Sequence, residues 1–167
     1  MITYCIIETR LGFIALANRN GKLIRSTLPK PTGEEALDTI KEGLDASAVE
    51  GEAGFGDLPD RLKAYARGEK VDFSDVCVDL QAYGPFHRTA LLACQRIPHG
   101  RLASYRDLAR AAGSEGACRA VGTAMATNRM PIIIPCHRVV ASAGRIGGFS
   151  SALEWKRELL KLEGVEV

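Results

Sequence analysis

The sequence predicts an α+β protein in two parts: a small N-terminal α/β domain with an antiparallel sheet over residues 1–80, and a mainly helical domain over residues 81–167. Three observations predict it. Alternating apolar runs crowd into the first thirty residues around Asn20-Gly21, a strong hairpin-turn signal. Helical periodicity with cap residues dominates after Pro85. The charge also changes sign: residues 1–83 hold 10 Lys/Arg against 14 Asp/Glu, whereas residues 84–167 hold 12 against 6.

Taken in order, Tyr4–Ile7, Phe13–Ala17 and Leu23–Thr27 are expected to form a β-meander. Thr32 with Glu35 three residues later has the spacing of a capping box and starts a helix that extends to Leu44. Residues 45–56, rich in Gly, Ala and Glu, are expected to be a loop. A second helix runs from about Asp57 to Arg67 and stops at Gly68. Val76, Val78 and Leu80 alternate like a further strand. This half carries no chemical constellation and reads as a scaffold.

After a linker at Gln81–Gly84, Pro85 opens a helix reaching Ile97, ended by Pro98-His99-Gly100. Ser104 with Asp107 caps the next helix, which ends near Gly113. Ser114–Gly116 is a short turn, and a helix from about Ala117 to Asn128 completes a helix-turn-helix pattern. Its second helix, Ala117-Cys118-Arg119-Ala120-Val121-Gly122-Thr123-Ala124-Met125-Ala126, is made of small residues with Arg119 as its only charge. A major-groove reader carries several Arg, Asn, Gln or Lys side chains. This one fits close approach to the minor groove with an inserted Arg, or a helix packed tightly in the core.

The informative stretch lies beyond it. Ile132–Ile134 between Pro131 and Pro135 is expected to be a buried strand that stops at Pro135 and delivers Cys136, with His137 and Arg138 beside it. Neighbouring positive groups are expected to lower the thiol pKa and enlarge its reactive fraction. The same residues fit a structural cysteine with a basic tail. Metal ligation is disfavoured, because no Cys-x-x-Cys or His-x-x-x-His spacing supplies further ligands.

Composition narrows the function classes. The chain of 167 residues is 46% hydrophobic and 25% charged, an ordinary globular balance. It has no run approaching the roughly 18 apolar residues of a membrane helix, and its N-terminus lacks the order of a signal peptide. Five scattered cysteines point to reduced thiols and a cytoplasmic location. Ten of the twelve basic residues after position 83 are arginines, whose forked donors suit phosphate, so a polyanion is the expected partner.

The motifs Ile97-Pro98-x-Gly100, Ser104-Tyr105, Arg119-Ala120-Val121-Gly122, Asn128, Ile132–Val139, Gly148-Phe149-Ser150 and Leu159-Leu160-x-x-Glu163-Gly164 occur in one order. From about Phe86 to Gly164 the sequence resembles the O6-alkylguanine-DNA alkyltransferases, also called methylated-DNA–protein-cysteine methyltransferases. The resemblance implies a ribonuclease-H-like N-terminal domain and a winged helix-turn-helix C-terminal domain. It implies a monomer that binds double-stranded DNA in the minor groove and flips out O6-alkylguanine. It also implies transfer of the alkyl group to the protein's own cysteine once per molecule, with no metal or cofactor. In this reading Cys136 is the nucleophile, His137 takes the thiol proton through a water, and Glu163 orients His137. Asn128 ties the recognition helix to the active-site turn. Tyr105 assists rotation of the nucleotide and donates to the flipped base. Arg119 fills the vacated stack, and Ala120 and Thr123 lie along the DNA. Ser150 and the backbone near Phe149 bind the O6 oxygen.

Three departures from the family pattern stand out. Arg129 replaces the usual proline after the asparagine, Phe149 stands where tyrosine is common, and Ser151-Ala152 stand where two glycines often follow the serine. The last predicts poor reaction of bulky O6 groups such as benzyl. Some relatives bind zinc in the N-terminal half; here that half has Cys5 and Cys77 but no histidine, and no zinc site is expected. Competing readings are a lesion-binding protein without transfer, which the retained Cys136 argues against, and a helix-turn-helix regulator, which the poverty of base-reading side chains argues against. A cysteine hydrolase is disfavoured by the DNA-reading half.

Overall fold

The structure is a computed structural model that describes residues 1–141, 144–146 and 153–166. It is mixed α+β, with six helices and one four-stranded sheet among the described residues. The chain divides into two compact units. One holds residues 1–71 and 75–80; the other holds 72–74 and 81–167.

In the first unit, β1 (Ile2–Thr9), β2 (Gly12–Arg19) and β3 (Lys22–Ser26) form an antiparallel meander. The β2–β3 turn places Asn20 at φ 52° and Gly21 at φ 83°, the left-handed pair that a two-residue hairpin needs. Strand β2 is central and buried from Ile14 to Asn18. Ala15 and Ala17 pack on Ala36 and Ile40 of α1 (Gly33–Lys41), all four fully buried. The small alanines let the helix lie close to the sheet. Thr32 Oγ1 accepts from the Glu35 amide at 3.1 Å and caps α1. The other face of β1 and β2 buries Cys5, Ile7, Ile14 and Leu16, and α2 (Leu58–Ala66) packs on β1.

Two expectations for this unit change. Within the 45–56 segment, Val49–Glu50 form a short edge strand, β4, that runs parallel to β1, so the sheet is not wholly antiparallel. The strand expected at 76–80 is reduced to one bridge: Leu23 donates to Cys77 at 2.9 Å and Asp79 donates to Leu23 at 2.8 Å. The residues on both sides of that segment, 72–74 and 81 onward, belong to the second unit.

The second unit comprises α3 (Pro85–Gln95), β5 (Ala103–Ser104), α4 (Tyr105–Ala111), α5 (Cys118–Ala126), a 3-10 turn at Cys136–Arg138, β6 (Val139–Val140) and α6 (Leu153–Leu162). Helix α3 packs on α4 and α5, and α4 packs on α5. Ser104 and Asp107 form a complete capping box: Asp107 N–H donates to Ser104 Oγ at 3.0 Å, and Ser104 N–H donates to Asp107 Oδ2 at 2.8 Å. Strands β5 and β6 pair in parallel, Ala103 with Val139 and Ser104 with Val140. None of the described helices is long and apolar enough to cross a membrane.

The isoleucine run is a correction. Ile132, Ile133 and Ile134 are 1%, 0% and 0% exposed, but they form a turn rather than a strand. Ile134 N–H donates to Met130 O at 2.9 Å, and Ile132 sits at φ 74°. That conformation costs a β-branched residue about 1–3 kcal/mol; its complete burial offsets this, since a buried Ile is worth about 1.5–3 kcal/mol. Tertiary burial therefore overrides β-propensity, and the turn leads straight into the 3-10 segment that carries Cys136.

Candidate active site

Cys136 opens the 3-10 turn and keeps partial solvent exposure, while its neighbours His137 and Arg138 are both 4% exposed. The Cys136 amide donates to Ile134 O at 2.8 Å and the Arg138 amide to Pro135 O at 2.9 Å. The turn thus gives successive residues different surroundings: Cys136 keeps partial exposure, while the imidazole and guanidinium lie inward.

Glu163, one residue past α6, receives those inward groups. Its Oε2 lies 2.6 Å from His137 Nε2. Arg138 donates Nε to Oε1 at 2.9 Å and Nη2 to Oε2 at 3.0 Å, a bidentate fork. The Gly100 amide adds a fourth bond to Oε1 at 3.0 Å, and Arg138 Nη1 donates to Ile97 O at 2.6 Å. The Ile97–Gly100 turn, with Gly100 at φ 78°, thus supplies an acceptor for Arg138 and a donor for Glu163. Burial of a carboxylate is tolerable only with this degree of satisfaction.

Burial pushes the His137 imidazole below its usual pKa; Glu163 opposes the shift, and the charges of Arg138 and Lys156 assist it. A neutral imidazole whose Nε2–H points at Glu163 carries its lone pair on Nδ1, as a proton acceptor requires. The Arg138 fork makes this possible by balancing the Glu163 charge without a proton on His137.

Asn128 stands two residues beyond α5. Its Nδ2 donates to Ile134 O at 2.9 Å and its Oδ1 accepts from the Met130 amide at 3.0 Å. A side-chain hydrogen bond from Asn128 also favours the Cys136 thiolate. Burial is the larger influence, and it holds the thiol above its usual pKa. This corrects the expectation of a lowered value: Arg138 is occupied by Glu163 and His137 is biased toward neutrality, so neither offers the thiolate a dedicated positive partner.

The positive group that does act on Cys136 is Lys156, in α6. It is 6% exposed, donates from Nζ to Val139 O at 2.5 Å, and lies 5.9 Å from the Tyr105 ring centroid. Burial lowers its own pKa, against the favourable influence of the Cys136 and Cys94 thiols. Tyr105, at the first position of α4, has its hydroxyl pKa pushed up to about 12 by burial and by Cys136, so it stays a neutral donor at physiological pH. The β5–β6 pairing is what brings Tyr105 to this place: β6 begins three residues after Cys136, and Tyr105 directly follows β5.

Arg119 and Thr123 are exposed and Ala120 partly so on α5, and Thr123 Oγ1 donates to Arg119 O at 3.2 Å. A Cβ added at Gly122 would meet no atom of the described residues outside the helix within 4 Å. Among the described residues, nothing packs against this position. Phe149, Ser150, Ser151 and Ala152 lie outside the described residues. Sequence reasoning gave no role to Lys156, Gly100 or the Arg138 fork. The Ile97-Pro98-x-Gly100 and Cys-His-Arg motifs contained two of these, but nothing in the sequence indicated that they meet on Glu163.

A family model described as "6-O-methylguanine DNA methyltransferase, DNA binding domain" matches residues 85–165. A methylated-DNA–protein-cysteine methyltransferase of Mycolicibacterium paratuberculosis is 34% identical over 98% of this chain and 93% of its own length. Another, from Methanopyrus kandleri, is 42% identical over 77% of this chain and 95% of its own. Among solved structures, the crystal structure of Mycobacterium tuberculosis OGT in complex with DNA superposes with a TM-score of 0.78 at 31% identity, over 96% of this chain and 92% of that one.

Proposed function

The chain belongs to the methylated-DNA–protein-cysteine methyltransferase family, and from that premise we propose that it repairs DNA by taking the alkyl group of O6-alkylguanine onto Cys136. The observation that carries this reading is the Cys136–His137–Glu163 arrangement: a cysteine that keeps partial exposure, a buried imidazole, and a buried carboxylate 2.6 Å from that imidazole. This is the nucleophile, base and orienter of covalent catalysis in general form.

The chain binds double-stranded DNA through α5, with α4 and α5 as a winged helix-turn-helix module entering the minor groove. The open side of Gly122 and the exposed Arg119 support this placement. A guanine in the stack cannot reach Cys136, so it is flipped out, and Arg119 occupies the gap. Cys136 gives its proton through a water to His137, and the thiolate attacks the alkyl carbon. A carbon–sulfur bond forms as the carbon–O6 bond breaks, and the electron pair passes to the guanine. Tyr105, kept neutral, donates a hydrogen bond to the ring and improves the leaving group. Lys156 stabilises the thiolate before attack. Ser150 and Phe149 receive the O6 oxygen in this scheme.

The thioether product is inert, so each molecule acts once. The protein works as a monomer in the cytoplasm, on nucleoid DNA, and its first unit is a ribonuclease-H-like scaffold. Incubation with a duplex carrying one O6-methylguanine tests the reading. Mass spectrometry should find one added CH2 on the Cys136 peptide and an unmethylated guanine in the DNA. An unmodified Cys136 in folded protein overturns it.

A further inference from the structure

The hydroxyl of Tyr83, just before α3, bridges the two peptides that flank Asn128. It donates to Thr127 O at 2.8 Å and accepts from the Arg129 amide at 3.0 Å. Tyr83 is 8% exposed. Its own carbonyl accepts from Arg88 Nε at 2.7 Å, which fastens it to the first turn of α3, and the Arg129 guanidinium carbon lies 5.8 Å from its ring centroid. We propose that Tyr83 is a positioning residue for alkyl transfer, setting the backbone on both sides of Asn128 so that its amide reaches Ile134 O and the Cys136 thiol.

Asn128 lies past the last turn of α5, and its amide keeps only a long bond back to the helix, to Met125 O at 3.3 Å. Its side chain nonetheless makes two directed bonds, to Ile134 and from Met130. Directed bonds of this kind weaken with small rotations of the donor, so the peptides at 127–128 and 128–129 must be held. Tyr83 holds one by its carbonyl and the other by its amide, with a single oxygen. The contact exists only because position 129 has an N–H to give. A proline there would have none, so Arg129 and Tyr83 act as a pair: the clamp supplies a rigidity that a proline ring supplies internally.

The inference rests on Cys136 as the alkyl acceptor, but its test does not need that activity. Tyr83→Phe removes the hydroxyl and keeps the ring. The pH midpoint for Cys136 modification by iodoacetamide should rise, and the Arg129 amide should lose hydrogen-exchange protection. Methyl transfer from an O6-methylguanine duplex, at saturating protein, should slow by about three- to tenfold, the effect of one net hydrogen bond. In an Asn128→Ala background, Tyr83→Phe should change neither rate nor midpoint further. An unchanged midpoint and rate, or equal effects with and without Asn128, overturns the proposal. Absence of methyl transfer in the wild type overturns the proposed function instead and leaves the iodoacetamide comparison to decide on Tyr83.

Discussion

Arg138 grips Glu163 with two nitrogens, at 2.9 and 3.0 Å, while His137 meets the same carboxylate at 2.6 Å. Two cationic residue types thus share one anion, and the fork assigns the charge balance to Arg138. His137 is left neutral and able to take a proton. The Cys-His-Arg order on a 3-10 turn makes this possible, because consecutive side chains 137 and 138 both point inward.

Loss of the fork should therefore damage more than stability. Arg138→Met leaves a buried carboxylate opposite His137 alone, which raises the His137 pKa and makes the imidazole a poor base at pH 7. Breaking one side of a buried pair costs about 3–5 kcal/mol. Urea unfolding should show that loss, and NMR titration of His137 should show the upward shift. An unshifted His137 would place the balance elsewhere.

Lys156 is the next test. Lys156→Gln removes the positive charge acting on Cys136 and the bond to Val139 O. The thiol pKa should rise further, and a rise of one unit cuts the thiolate fraction at pH 7 by about tenfold. The deficit in transfer rate should hold at pH values below both thiol pKa values and close only as pH rises above them. A uniform loss at all pH values would indicate a packing role only.

His137 also predicts a pH dependence of folding. Its pKa is lowered in the folded state, so below the unfolded value of about 6.5 the unfolded chain binds more protons. Its contribution is fully present above that pH and is lost as pH falls through the folded value. Stability from urea unfolding should drop between pH 7.5 and 5.5, and His137→Asn should reduce the drop. Equal slopes in both proteins would assign the effect to other groups.

In the proposed DNA complex, the protein and the DNA place opposite demands on one position of α5. Gly122→Ala should stabilise the helix by up to about 1 kcal/mol, because the added Cβ has open space. Gly122→Leu should remain folded yet bind duplex DNA weakly. Arg119→Ala, at an exposed site, should change stability by no more than about 0.5 kcal/mol. It should slow repair in a duplex far more than reaction with the free base. Affinity should fall as salt rises, because phosphate contacts release counterions; a flat salt response would remove the basic face from the interface.

Local signals were legible where the chemistry is local. Asn20-Gly21 marked the hairpin because only left-handed residues close it, and Ser104 with Asp107 marked α4 because its capping bonds lie within four residues. Val76–Leu80 misled, since alternation requires a neighbouring ladder to become a strand, and only one bridge is present. Ile132–Ile134 misled differently: the run announced burial, while the turn depends on Asn128 and Met130 capturing its backbone.

The amino-acid order by itself determined the Cys-His-Arg motif, the short helices with their caps, the basic second half and the family resemblance, since each is written in neighbouring residues. Only the tertiary structure decided that Glu163 receives Arg138 and Gly100 as well as His137, that the positive charge acting on Cys136 is that of Lys156, and that the Tyr83 hydroxyl bonds both peptides beside Asn128. These pairings span 25 to 63 residues where Glu163 is concerned. No periodicity carries such information, because each depends on which side chains a packed interior leaves within hydrogen-bond reach.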